Sequence, residues 1–313
     1  MQRRPNFLYL GAPKAGSTWL FNLLRAHPAA FVPPAKELSF FDRQFHRGEA
    51  WYLEHFAGAR EEHCAIGELS HDYLYSSVAA ARIREFDPQM KLVAVLRDPL
   101  DRLVSEAGFL ARNGENASDL DKLLDRYPEL VEKCLYARHV GAYDRLFPSA
   151  YIKVMLYDDL KAAPLGFANE LFDFLGLPML DPFPEISEKN AAASPRARWL
   201  ALGAKRLALI LRAVGGAQIV GRVKSAKIVK NALYRPVAPD LSLCRRQAAH
   251  RFGDLFLEDI ALLERRLQRP LSRWRANIGA NCEPHVVIDE PEEQGGRNEN
   301  LAHAPELRAE AVD

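Results

Sequence analysis

One loop constrains this 313-residue chain more than any other feature. Phe7-Leu8-Tyr9-Leu10 is a short apolar run that reads as a buried parallel strand. Gly11-Ala12-Pro13-Lys14-Ala15-Gly16 follows as a glycine-bounded turn, and Ser17 to Ala26 reads as a helix. A strand feeding such a turn into a helix N-terminus makes a cradle for an anion, because backbone N–H groups and the helix dipole converge there. Gly11 and Gly16 are separated by four residues, as in G-x-x-x-x-G-K-[ST]. Ser17 stands where that pattern has its lysine, and the lysine lies inside the loop at position 14. The loop suits a phosphate-like group. It lacks the lysine placement that bridges the β- and γ-phosphates of a nucleoside triphosphate.

A second motif has the same form. Lys91 to Leu96 reads as a buried strand and runs straight into Arg97-Asp98-Pro99-Leu100-Asp101-Arg102-Leu103-Val104-Ser105, with Pro99 suited to the first turn of a helix. Ala65 to Glu68 and Tyr151 to Leu156 complete four core strands, and Ser76 to Phe86 and Pro99 to Arg112 add helices. This alternation predicts an α/β fold, a doubly wound parallel sheet flanked by helices, with ligands at the carboxyl ends of the strands. Pro164 to Leu175 reads as a helix stopped by Gly176 and Pro178. Leu241 to Leu267 is amphipathic, with Phe252, Phe256, Ile260, Leu263 and Leu267 on one stripe, and ends near Pro270. The expected organisation is a single domain over 1–282. Within it, 196–235 is a basic helical insertion and 241–275 a C-terminal helix packing on the core.

The formal charge of +1 hides a strong asymmetry. Residues 196–235 carry ten Lys or Arg and no acid, whereas 283–313 carry nine acids against two arginines. The acidic stretch is poor in large apolar residues and is expected to be a disordered tail. The basic stretch reads either as a solvated face over the core or as a surface for peripheral contact with an anionic membrane. It lacks interleaved aromatics and no nucleic-acid motif accompanies it, which argues against nucleic acid as a partner. Cys64, Cys134, Cys244 and Cys282 show neither zinc nor disulfide spacing, as expected in a reducing compartment. No stretch approaches ~18 uncharged apolar residues, so no transmembrane anchor is visible. These features predict a cytoplasmic protein, at the inner membrane surface if 196–235 docks there.

Pro13-Lys14-x-Gly16-Ser17-Thr18-Trp19 resembles the 5′-phosphosulfate loop of the sulfotransferases that use 3′-phosphoadenosine 5′-phosphosulfate (PAPS). Arg97 at a strand end with Ser105 eight residues later resembles that family's 3′-phosphate site. Tyr157-x-Asp159-Leu160 and Phe174-Leu175-Gly176-Leu177-Pro178 are similar too. Lys36-Glu37-Leu38-Ser39-Phe40-Phe41-Asp42 resembles a stretch of the heparan sulfate 3-O-sulfotransferases. The resemblance covers residues 5 to about 180 well and 241 to 275 loosely.

It implies a P-loop-type fold, PAPS as donor, adenosine 3′,5′-bisphosphate as product, and no metal. The donor contacts it implies are Lys14, Ala15, Gly16, Ser17, Thr18, Trp19, Arg97 and Ser105, with Asn190 and Arg196 closing over the nucleotide. Lys14 is the implied catalytic cation. Two residues compete as base: Glu37, which fills the glutamate position of the heparan group, and His71, placed like the histidine of the phenol and steroid enzymes. Lys36, Glu68 and Asp72 are candidate acceptor contacts. Leu69, in Glu68-Leu69-Ser70-His71, stands where the heparan group has a substrate-site lysine. The expected acceptor is a hydroxyl or amine of a carbohydrate, a lipid-linked or glycolipid molecule, or a small metabolite. A P-loop kinase or ATPase, and a non-catalytic membrane-surface protein, are the alternative readings.

Overall fold

The computed structural model describes residues 3–113, 115–116, 119–186 and 240–282, together with the backbone of an antiparallel pair, Ser194–Pro195 with Tyr234–Arg235. Asn190, Arg196, the rest of the basic segment and the acidic tail lie outside the described residues. Five parallel strands form the central sheet: β1 (Phe7–Gly11), β2 (Ala30–Phe31), β3 (Ala65–Leu69), β4 (Lys91–Leu96) and β5 (Ile152–Leu156), in the order β2-β3-β1-β4-β5. β1 and β3 are buried along their whole lengths, as near-continuous apolar strands covered on both faces should be. Phe7 of β1 stands in register with Gly67 of β3 on one side and Lys91 of β4 on the other. After β1 the chain builds the β2–β3 side and then crosses to β4. The crevice above the carboxyl ends of β3, β1 and β4 is therefore the topological switch point.

The helices are α1 (Ser17–Ala26), α2 (Gly48–Glu54), α3 (Ser77–Phe86), α4 (Pro99–Arg112), α5 (Leu120–Arg126), α6 (Glu129–Glu132), α7 (Tyr136–Asp144), α8 (Tyr157–Ala162), α9 (Pro164–Leu175), α10 (Ser242–Leu267) and α11 (Ser272–Cys282). Their ends follow local chemistry. Ser76 Oγ accepts from Ala79 N at 3.1 Å to start α3, and Asp98 Oδ1 accepts from Asp101 N at 3.0 Å to start α4, with Pro99 at the first helical position. Gly176 closes α9 in the left-handed conformation. Phe256, Ile260 and Leu263 bury the α10 stripe, with Phe252 and Leu267 at its margins, and Trp274 and Ile278 of α11 are buried as well.

Two stretches between the predicted elements take irregular form. Residues 40–52 contain a π-helical turn (Phe40–Gln44), a 3-10 turn (Phe45–Arg47) and most of α2. They are held by aromatic packing, with Phe40 stacked on Tyr52 at 4.3 Å and Phe41 set edge-on to Tyr73 at 5.7 Å. Residues 113–136 contain α5 and α6, too short for a periodic signal. Tyr151 closes a 3-10 turn, so the last strand begins at Ile152. No helix among the described residues is long and apolar enough to cross a membrane.

Candidate active site

The two loop glycines are required by close approach. At Gly11, φ is +142° and a Cβ would stand 2.5 Å from the His71 carbonyl oxygen, so a bare backbone lets the loop lie against the end of β3. At Gly16, φ is +88° and a Cβ would meet Leu160 Cδ2 at 2.7 Å and the Tyr157 ring at 3.2 Å, where α8 packs on the loop. Gly16 is also the N-cap of α1 and offers no side-chain acceptor, leaving the first-turn amides of Ser17 onward as anion donors.

A cleft of about 590 Å³ opens over these strand ends, and both phosphate motifs face it: Lys14, Gly16, Ser17, Thr18 and Trp19 from the loop, Arg97 and Ser105 from α4 and its approach. The motifs are also bonded to each other, since Arg97 Nη1 donates to the Lys14 carbonyl at 3.1 Å. The Arg97 guanidinium lies 5.2 Å from the Tyr157 ring centre, and its Nε is buried with no hydrogen-bond partner among the described residues. A buried donor left in that condition suits an anionic ligand that supplies the acceptor. Lys14 Nζ stands 4.5 Å from the Phe109 ring centre. Burial lowers the Lys14 pKa, and the Glu106 carboxylate opposes that fall.

The two competing bases meet. Glu37 Oε1 lies 2.5 Å from His71 Nδ1, and Glu37 Oε2 accepts from His71 N at 3.1 Å. Glu37 N donates in turn to the Leu69 carbonyl at 3.0 Å. Each side chain is about one third exposed. Glu37 and Ser39 both hold positive φ, 58° and 51°, which turns this segment over the end of β3.

Residues 4–195 match the family model of the sulfotransferase domain. The chain belongs to the sulfotransferase family. It is 29% identical over 182 residues to heparan sulfate glucosamine 3-O-sulfotransferase 3A1 of Mus musculus, an alignment covering 55% of this chain and 46% of that protein. It is 30% identical over 139 residues to the membrane-associated sulfotransferase kil1 of Dictyostelium discoideum, covering 42% of this chain and 30% of that one. The chain thus spans half or less of the length of these curated relatives. The crystal structure of a sulfotransferase from Alicyclobacillus acidocaldarius has the same fold, with a TM-score of 0.61 at 24% identity over 87% of this chain and 99% of that one.

Three residues of this sulfotransferase sit differently from the sequence expectation. Glu68, a candidate acceptor contact, is 1% exposed and does not line the cleft. It accepts from Ser70 Oγ at 2.8 Å and Tyr73 Oη at 2.7 Å, and those hydroxyls accept from Ser39 N at 3.0 Å and Phe41 N at 3.2 Å. Glu68 therefore underpins the segment that carries Glu37. Its burial pushes its pKa up to about 7, although the Tyr73 and Ser70 bonds pull the other way. Lys36, expected at the acceptor, lies against the glycine-bounded loop and the start of α1, its Nζ 3.4 Å from both Ser17 Oγ and Thr18 Oγ1. Ala15, an expected donor contact, is fully buried and does not line the cleft.

Asp72 does line the cleft, but it is engaged by Lys133 at 3.0 Å and by Arg43. Burial raises its pKa, and the Lys133 ammonium more than offsets this, leaving the carboxyl below its ordinary range. Trp19 lines the cleft while packing edge-on against Phe167 at 5.9 Å. Lys133 and Arg102 escaped the sequence reading. Arg102 is fully buried, donating to Cys134 Sγ at 3.2 Å and the Leu130 carbonyl at 2.6 Å, and so anchors the turn that brings Lys133 to the cleft. An arginine five residues after Arg97 was visible, but nothing local marks it as buried.

Proposed function

We propose that this chain transfers a sulfuryl group from PAPS to a hydroxyl or amine of a carbohydrate, lipid-linked or small-metabolite acceptor, by in-line displacement. The observation that carries this reading is that Lys14 and the Arg97–Ser105 pair open onto one cleft, with the Glu37–His71 pair at its edge. The cleft has the volume of a nucleotide site, and the unpartnered Arg97 Nε and uncapped first turn of α1 fit an anion at each end. PAPS, when bound, supplies an activated sulfuryl group whose departure places negative charge on the 5′-phosphate.

Lys14 and the α1 amides are placed to stabilise that charge, with the Ser17 and Thr18 hydroxyls as further donors and Lys36 as a second cation against them. Arg97 and Ser105 hold the 3′-phosphate by a charged fork and a hydroxyl. Glu37 takes the acceptor's proton. His71 orients the Glu37 carboxylate through two hydrogen bonds while each oxygen keeps a second lone pair. A relative whose name specifies a heparan sulfate glucosamine supports a carbohydrate acceptor. Asp72 already pairs Lys133 and Arg43, which favours an acceptor of low charge over a polysulfated chain.

Titration calorimetry tests the donor. Adenosine 3′,5′-bisphosphate should bind more tightly than adenosine 5′-monophosphate. Arg97→Ala should cost the bisphosphate about 2 kcal/mol, roughly 30-fold. Tighter binding of ATP-Mg, or indifference to Arg97→Ala, refutes the reading. Transfer of labelled sulfate from PAPS to saccharide and phenol acceptors then assigns the acceptor class.

A further inference from the structure

Arg97 has a carboxylate beside it. Asp101, one turn along α4, places Oδ2 3.8 Å from Arg97 Nη2. An anion there competes with any phosphate for the same guanidinium. The C-terminal helices deal with this carboxylate. Arg245 Nη2 of α10 donates to Asp101 Oδ1 at 2.7 Å, more than 1 Å closer than the Arg97 approach. Asn277 of α11 joins the group: its Nδ2 donates to Asp98 Oδ2 at 2.9 Å and lies 3.5 Å from Asp101 Oδ1, and its Oδ1 accepts from Arg245 Nη1 at 3.4 Å. Two helices far along the chain thus converge on the first turn of α4.

We propose that Arg245 is a positioning residue for the 3′-phosphate site: it neutralises Asp101, so that Arg97 stays available to the ligand. This rests on the donor reading above. Arg97, Asp101 and Arg245 carry a net charge of +1. Without Arg245 the sum is zero, and Asp101 has Arg97 as its remaining arginine partner. Removing the Asp101 charge as well returns the sum to +1. The three side chains are only 21–28% exposed, so solvent screens the exchange weakly. Burial raises the Asp101 pKa, but the bond and charge of Arg245, with Arg97, hold the carboxyl below its ordinary value. Asp101 is thus an anion in need of a partner.

The experiment compares the full chain with Arg245→Gln, Arg245→Lys and the double variant Arg245→Gln/Asp101→Asn. The readout is the ratio of affinities for adenosine 3′,5′-bisphosphate and adenosine 5′-monophosphate. Arg245→Gln should lower this ratio about tenfold with little change in monophosphate affinity. Arg245→Lys should keep most of it, and the double variant should recover it. A merely structural Arg245 would weaken both nucleotides together, and the second substitution would not rescue. An unchanged ratio in Arg245→Gln, or no recovery in the double variant, overturns the inference. If Arg245→Gln does not fold, Arg245→Lys and the double variant decide: loss of the ratio in both overturns it. A wild-type protein that binds the two nucleotides equally brings down the donor reading itself, and this inference with it.

Discussion

Glu68→Gln is the sharpest test of the polar network beneath the segment that carries Glu37. Glu68 is buried with its two oxygens taken by Ser70 and Tyr73, and its pKa is pushed up to about 7 from the ordinary 4.5 by burial. At 1.36 kcal/mol per pH unit, that displacement is worth about 3 kcal/mol. The sign follows from proton binding. Between these two values the folded protein holds a proton that the unfolded chain has released, so stability falls as pH rises. The contribution is fully favourable below about pH 4.5 and is lost above about pH 7, where an ionised carboxylate is buried. Between pH 5 and pH 8 the wild type should lose about 2.5 kcal/mol through this group alone. Glutamine cannot ionise. Its amide offers one acceptor instead of two, a cost of about 1 kcal/mol that does not depend on pH. Urea denaturation followed by circular dichroism at several pH values measures both proteins. Asp98, pushed up to about 6 by burial, contributes its own slope equally to each and cancels in the comparison. Parallel stability profiles for wild type and Glu68→Gln would refute the account.

Gly16→Ala should destabilise by about 2–3 kcal/mol, since a left-handed φ is imposed on alanine and its Cβ meets Leu160 at 2.7 Å; an unchanged thermal midpoint argues against this packing. Glu37→Gln should lower kcat for sulfate transfer by about 10²–10⁴ while bisphosphate affinity holds, and His71→Ala should lower kcat about tenfold or more. Full turnover in His71→Ala would show that the imidazole does not position the carboxylate.

Local chemistry made much of this architecture legible. β1 and β4 are apolar runs that end at a glycine turn and at Arg97-Asp98-Pro99, so the sequence alone places both anion motifs on strand ends. β2 has only two residues and no period to detect. The segment from Phe40 to Glu54 takes its shape from rings that meet across the fold. Glu37 and His71 read as rivals because they are 34 residues apart, and the left-handed turn at Glu37 and Ser39 brings them into two hydrogen bonds. Lys36, just before this turn, lies against Ser17 and Thr18. Glu68 lies in a strand whose other residues read as core, and no composition or spacing reveals that its carboxylate faces inward. Arg245 stands seven residues before Phe252 and so continues the apolar stripe of α10 toward its N-terminus, but nothing in the sequence marks the α4 carboxylate that it meets.

The bond from Arg97 to the Lys14 carbonyl has a consequence for selectivity. It joins the loop after β1 to the residue after β4, so on the proposed donor reading the sheet sets the span between the two anion grips. The fold then works as a gauge. On the proposed donor reading, a nucleotide with its second phosphate on the neighbouring 2′ carbon brings equal charge but the wrong length, and adenosine 2′,5′-bisphosphate should bind more weakly than the 3′,5′ isomer by calorimetry.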